Sequence, residues 1–356
     1  MPGAPSDGES RGLSNAQLSE LLCLAADQAG RPYQQRRALQ RAGRAAFRWP
    51  LEAREVLAEG RSLTELRSVG PWIAGILSQW LADSHQVPEP PPLRRGFLTH
   101  TECTRLLTAS DQGKSVRGDL QVHTLGSDGT NTVFAMADAA RERGLRYLAI
   151  TDHSRGLAIA NGMNEAQLAA QHEEIERLNE GFAASRFRIL RGVEMNLSPR
   201  GEGDLDPRFL RGLDLVLGAF HSRLRPVEDQ TERYLAALRN PSIHILAHPR
   251  GRIFNFRLGL QADWRRVFEC AREHDRAVEI DGYPDRQDLD GELLQLAREV
   301  GVRISIGSDA HACGPLALLE FGVAAARRAR IPEDRIVNCM TADEVVAWTS
   351  SIAAAR

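Results

Sequence analysis

A parallel (β/α) barrel preceded by a small all-helical domain is the architecture this sequence predicts. Three observations predict it. Beyond Gly118, short aliphatic runs alternate with helical stretches, the pattern of a parallel sheet covered by helices. A histidine or acid follows nearly every one of those runs. In a barrel such strand ends all face one mouth, whereas in an open sheet the ends of distant strands could not converge. Finally, the proline-rich VPEPPPLRRG (87–96) separates a helical N-terminal region from this alternating one, as a semi-rigid spacer would.

Element by element, Met1 to Gly12 is polar, has no hydrophobic signal region, and reads as a disordered leader. A helical domain is expected over 13–85, where Leu18, Leu21, Leu22 and Ala25 form one apolar stripe and Val56 and Leu57 begin another. Arg37, Arg41, Arg44 and Arg48 recur at helical spacing, with no acid between Pro32 and Leu51. That spacing puts them on one face. Residues 86–116 form the spacer and a short connecting segment. The barrel is expected over 117–350, with strands near 118–123, 146–151, 188–193, 214–219, 243–247, 276–281 and 302–307. Helices fall at Val133–Arg143, Glu165–Asn179 and Asp290–Val300.

Composition narrows the class. The 356 residues suffice for one large barrel and a small extra domain, and 42% are hydrophobic, enough for a sizeable core. A net charge of −2 predicts neither a nucleic-acid nor a membrane partner by itself. Five scattered cysteines without a CxxC pair favour reduced thiols. No apolar stretch reaches spanning length. The expectation is a soluble cytoplasmic protein with no membrane partner.

The chemistry sits after the strands. Half of the ten histidines end apolar runs: GDLQVHT (His123), LAITDHS (His153), LVLGAFHS (His221), HILAHP (His248) and RISIGSDAH (Asp309, His311). Glu194 ends RILRGVE, and Asp128 follows the first motif. Imidazoles and carboxylates gathered at one rim suit divalent metals, which take nitrogen and oxygen ligands. The remaining histidines read as surface or core residues.

In their order, GDLQVHTLGSDGTNT, ITDHSRGLAIANGM, GVEMNLSPRGEGDLD, GAFHS, AHPRGR and SIGSDAH resemble the motifs of the PHP (polymerase and histidinol phosphatase) family. The likeness runs from about Arg117 to Thr349 and is nearest to the C-terminal PHP domain of bacterial X-family DNA polymerases. It implies a distorted seven-stranded PHP-type (β/α) barrel and metal-dependent phosphoesterase activity, with two or three divalent ions (Mn, Zn, Fe or Mg). It further implies that His123, Glu194 and Asp309, with Gln121 where the family has the first His of an HxH motif, hold one metal. Glu194, His221 and His248 would hold a second, and Asp128, His153 and His311 a third. A metal-bound hydroxide, formed because bound water's pKa falls to about 7, would attack phosphorus. Catalysis would rest on His123, Glu194, His221, Asp309 and Arg252, whose HPxGR context matches the polymerase-type domains. Gln121 is a neutral, harder donor that favours manganese or magnesium over zinc. Asn196 also stands where the polymerase-type domains carry an Asp.

Leu63 to Ala74 is similar to a helix-hairpin-helix motif, whose backbone N–H groups, here at Val69 and Gly70, meet DNA phosphates. Ser68 replaces the usual first glycine. The polymerase palm and fingers are absent between the two modules, so the resemblance implies no DNA synthesis. The leading expectation is a 3′–5′ exonuclease or 3′-end-processing enzyme acting on single-stranded or nicked DNA, or on RNA. The alternatives are a phosphatase of a small metabolite such as histidinol phosphate, and a non-catalytic DNA-binding protein with a degenerate metal site.

Overall fold

The computed structural model describes residues 12–83, 85–109 and 116–354; the expected leader, apart from Gly12, lies outside them. The chain divides into two compact units, Met1–Glu102 and Cys103–Arg356. Among the described residues no helix is long and apolar enough to cross a membrane.

The first unit is helical. Ser14 and Gln17 cap α1 (Asn15–Asp27) reciprocally, satisfying amide groups that the first turn leaves free. The stripe of Leu18, Leu21, Leu22 and Ala25 buries against Leu39, Ala42 and Ala46 of α2 (Tyr33–Ala46). Gly43 lets the two helices approach, since a Cβ there would stand 3.3 Å from Cys23 Sγ and 3.4 Å from the Ser19 carbonyl. Then come α3 (Ala53–Ala58), a 3-10 turn at Leu63–Glu65 and α4 (Pro71–Ala82). Residues 86–102, the expected spacer and the start of the connecting segment, pack within this unit. Arg94 grips the Glu20 carboxylate with two bonds of 2.7 Å, and Thr101 donates to Glu52. Helix α5 (His100–Thr108) crosses the boundary between the units.

The second unit is the barrel. Seven strands pair in chain order, all parallel: β1 (Gly118–Asp119), β2 (Tyr147–Ile150), β3 (Arg188–Asn196), β4 (Leu215–Ala219), β5 (Ile245–Leu246), β6 (Ala277–Asp281) and β7 (Arg303–Gly307). Each stands where the alternation placed it, although β1 and β5 are only two residues long. Between them run α6 (Val133–Glu142), α7 (Glu165–Phe182), the short α8 (Pro207–Leu210), α9 (Thr231–Arg239), α10 (Trp264–Glu273) and α11 (Gly291–Val300). After β7 come α12 (Leu319–Arg328) and α13 (Ala342–Ala354).

Successive strand residues face opposite ways, and the packing divides accordingly. Leu148, Ile150 and Ile189 lie with Met136 and Ala140 of α6 and Ile175 of α7. Tyr147, Ala149, Leu190, Leu215, Leu217 and Ile245 face inward and meet Val345, Trp348 and Ile352 of α13, which plugs the N-terminal end.

Strands β1 and β7 meet mainly through side chains. Beyond a single parallel bridge, Val122 to Ala310, the buried Asn338 carboxamide spans the seam. Its oxygen accepts from the Ile306 N–H at 2.7 Å, and its nitrogen donates to the Gly118 and Ile306 carbonyls at 2.9 and 2.8 Å. Asn338→Ala would strand those backbone groups and is expected to cost about 2–4 kcal/mol, at roughly 1 kcal/mol or more per orphaned group. Urea denaturation measures it; a loss below about 0.5 kcal/mol would mean the seam closes without this residue.

Candidate metal centre

Strand alternation decides which side chains reach the barrel axis. On β3, Leu190 faces inward, so Gly192, Glu194 and Asn196 share its side. His153, His221, His248 and Asp309 follow the last residues of β2, β4, β5 and β7 by two or three positions. His123 is placed by a backbone bond to the Ala310 carbonyl across the seam.

Glu194, fully buried, is the hub. Its Oε1 lies 2.7 Å from His248 Nε2 and 3.0 Å from His221 Nε2. Its Oε2 lies 3.3 Å from both His123 Nε2 and His153 Nδ1. His123 Nε2 is also 3.2 Å from Asp309 Oδ1. Further out, Asp128 Oδ1 lies 3.2 Å from His311 Nε2 and 3.6 Å from His153 Nε2. The His123 ring stacks between those of His153 and His311, with centroids 4.4 and 4.3 Å away. Eight of the nine expected ligands thus form one continuous cluster. The ninth, Gln121, is buried beside Gly307, and neither of its amide atoms has a hydrogen-bond partner.

These donors fit divalent cations. Both nitrogens of His123, Nδ1 of His153, Nε2 of His221 and Oε2 of Glu194 are buried without hydrogen bonds. Buried polar atoms are rarely left so. Two overlapping sets, His123–Asp128–His153–His311 and His153–Glu194–His221, bring one donor atom from each member within 4.8 Å of the others. Supporting contacts aim the rings, as hydrogen bonds to the far nitrogen do at metal sites. Asn196 Oδ1 lies 3.1 Å from His221 Nδ1, and the Asp309 carbonyl 2.8 Å from His311 Nδ1. Asp152, adjacent to His153, instead braces the Thr124–Ser127 turn and takes a bond from Gln171.

Electrostatics follows from burial and crowding. Burial works to raise the Glu194 carboxyl, yet His153, His248 and their neighbours hold it well below the usual range. Burial opposes protonation of His248, but Glu194 pushes it up to about 10. For His153 burial wins, and it falls to about 4. Beneath the cluster, burial raises Asp119 to about 7 and lifts Glu279 and Asp281 well above ordinary carboxyl values. Glu279 has one oxygen on the His248 N–H at 2.7 Å. That bond holds His248 at a positive φ of 25°, an uncommon backbone state for a non-glycine residue.

Among the arginines, Arg252 is 4% exposed and donates through Nε to the Arg286 carbonyl at 3.0 Å. Its backbone N–H bonds Asp288, so it anchors the loop after β6. The arginine that reaches the cluster is Arg286, 3.3 Å from Asp309 Oδ2 and 3.8 Å from Asp281 Oδ2. Sequence reasoning passed over it. In VEIDGYPDR, period-two alternation puts Glu279 and Asp281 on one strand face, but it does not extend to Arg286 in the loop beyond. Arg155 and Arg250 pair with Glu165 and Asp290.

In the helical unit, Arg37, Arg41 and Arg44 are exposed along α2, while Arg48 is half-buried beyond its end. Ser68 takes φ 64° where a glycine was expected. Val69 is buried, with its N–H donated to Leu66, so that amide is not available to a phosphate. Gly70 is exposed as the N-cap of α4.

The PHP domain family matches residues 119–284. A DNA polymerase/3′–5′ exonuclease of Bacillus subtilis is 38% identical over 234 residues, 65% of this chain. The chain spans only 41% of that polymerase's length. Probable phosphatases of Aliivibrio fischeri and Photobacterium profundum are each 30% identical over 63% and 62% of this chain, and it covers 89% and 88% of theirs. A Lactococcus lactis histidinol phosphate phosphatase, crystallised with zinc, L-histidinol and phosphate, aligns at a TM-score of 0.47 with 15% identity. That alignment covers 61% of this chain and 95% of the other.

Gly307 tests how closely the seam and the cluster are fitted. A Cβ there would meet Glu279 Oε1 at 2.3 Å and Gln121 Cβ at 2.8 Å. Gly307→Ala is therefore expected to lower stability by about 1–3 kcal/mol, the usual cost of overpacking, and to reduce bound metal per chain. Denaturation and elemental analysis of the variant measure both; unchanged values would show that β1 and β7 have slack here.

Proposed function

The chain belongs to the PHP domain family and is a metal-dependent hydrolase, and we propose that it is a phosphoesterase acting on nucleic acid at 3′ ends. The observation that carries the phosphoesterase reading is one buried carboxylate, Glu194, within 3.3 Å of four imidazoles from four strand ends.

His123, Glu194 and Asp309 would hold one cation with Gln121 nearby, Glu194, His221 and His248 another, and Asp128, His153 and His311 a third. Divalent cations bound there acidify water and neutralise charge on phosphoryl oxygens. Gln121 offers a neutral oxygen, so we assign manganese or magnesium to its site in preference to zinc. Asn196 and the Asp309 carbonyl hold His221 and His311 with Nε2 turned toward Glu194 and Asp128. Arg286, more than one-third exposed, can bind a phosphate oxygen while it offsets the Asp281 and Asp309 charges.

Nucleic acid is favoured as substrate by two observations. One is the relationship to a polymerase/exonuclease; the other is the exposed arginine face of Arg37, Arg41 and Arg44 on α2. Gly70, the exposed N-cap of α4, would extend the same helical unit's capacity for phosphate, while Pro71 at the first position offers no N–H.

Purified protein with manganese should degrade labelled single-stranded or nicked DNA, or process a 3′-phosphorylated end, and His221→Ala should reduce this about 100-fold or more. Gln121→His should raise zinc content by elemental analysis. Turnover confined to small monoesters such as histidinol phosphate would replace this reading with a metabolite phosphatase. Binding without any turnover would leave a non-catalytic DNA-binding protein. Separately, replacing Arg37, Arg41 and Arg44 by Gln should weaken oligonucleotide binding most at low salt. The log–log salt slope should fall by about 2 if three phosphates are lost; an unchanged slope would remove α2 from the interface.

A further inference from the structure

The loops after β4 and β5 carry a feature that the cation cluster does not use. Past His248 the chain turns back on itself between Ile253 and Arg257, closed by a two-residue bridge. Asn255 occupies the left-handed region at φ 51°, which tightens the turn. Phe256 stands at its tip with 55% of its surface exposed. Among the described residues Tyr33, Trp72 and Phe134 are also open, but Phe256 is the one on a turn that follows a candidate ligand, His248. The turn is firmly held: the Phe254 N–H bonds the Asp285 carbonyl, Arg252 bonds the Arg286 carbonyl, and Arg257 bonds the Gly251 carbonyl.

The Phe256 ring has a cationic neighbour. The Arg225 guanidinium lies 4.8 Å from its centroid, within cation–π range. Arg225 sits four residues beyond His221, so their Cα atoms lie within about 14 Å of each other. The two loops are packed together where Leu224 meets Gly251; a Cβ on Gly251 would be 3.2 Å from the leucine. Arg233 clamps the first loop by donating to the Ser222 and Arg223 carbonyls at 2.7 and 3.0 Å. The exposed pair therefore rests on braced backbone at the rim of the cluster, beside the loop that presents Arg286.

We propose that Phe256 and Arg225 form a stacking platform for a nucleobase of single-stranded nucleic acid whose phosphate enters the cation cluster. This rests on the nucleic-acid reading above and specifies which part of the substrate is gripped. A planar base matches an exposed ring, and the guanidinium adds a second flat, cationic face that suits the anionic strand. Such platforms tolerate every base, since each has a π-face. Selectivity would then be for unpaired strands over duplexes, because a base inside a helix has no free face to offer.

The test compares wild type, Phe256→Ala and Phe256→Trp on three substrates: a single-stranded oligonucleotide, the same strand abasic at its 3′-terminal positions, and bis(4-nitrophenyl) phosphate. Phe256→Ala should raise KM for the intact strand about 5- to 150-fold. The loss on bis(4-nitrophenyl) phosphate should be at least fivefold smaller. The abasic strand should show wild type the same weak binding, and Phe256→Trp should restore KM on the intact strand. With metal present and a cleavage-resistant phosphorothioate at the 3′-terminal linkage, a 3′-terminal 2-aminopurine should be quenched on binding wild type and not on binding Phe256→Ala. Equal losses on all three substrates, or an abasic strand bound as tightly as the intact one, would overturn the platform while leaving the nuclease reading standing. Turnover of small monoesters alone would remove both.

Discussion

A carboxylate with no exposed surface, ringed by four imidazoles, is the constraint around which this barrel is arranged. Burying a lone charged carboxylate is costly unless partners compensate it, and Glu194 meets its partners only if β1, β2, β4 and β5 all end at the same height. A slip of one residue on any of these strands would turn its imidazole to the outer face. The apolar plug of Trp348, Val345 and Ile352 fixes the opposite end and so sets that height. Stability and site geometry are therefore the same problem at two ends of one cylinder.

The interior is unevenly divided. Strands β2 to β5 line it with aliphatic side chains below the ligands. Strands β1, β6 and β7 contribute Asp119, Gln121, Glu279, Asp281 and Ser305, all buried. Several of their polar atoms have no partner. This polar half coincides with the seam, where backbone pairing is thinnest and Asn338 takes over part of the ladder's work. Crowded acids there are balanced by one nearby guanidinium, Arg286. The side of the barrel that carries Gln121 is thus the side with the thinnest backbone pairing, yet its side chains are closely packed around Gly307.

Much of this was legible beforehand, for identifiable reasons. Buried parallel strands read as short aliphatic runs, so all seven were located even though β1 and β5 are too short to show a period. Most candidate ligands were picked out because they stand at or just after such a run, whereas Asp128 lies five residues past His123. Arg286 was not, because it lies five residues beyond its strand inside a loop, where no periodicity indicates direction. Arg252 illustrates the converse: its motif context suggested a role at the metals, but the acid-rich loop after β6 claims its guanidinium. Residues 87–96 read as spacer because of their clustered prolines, and the Arg94–Glu20 pair that fastens them to α1 joins positions 74 residues apart. Asn338 left no trace in local pattern, since its value comes wholly from spanning two strands far from it in sequence.

That seam also orders events during synthesis. Asn338 follows the last strand, so a nascent chain can have made every ligand, His311 included, before the piece that fastens first strand to last has emerged. Until then the seam has only the Val122–Ala310 bridge and the bonds beside it. The fastening of first strand to last thus depends on a residue made after every candidate ligand.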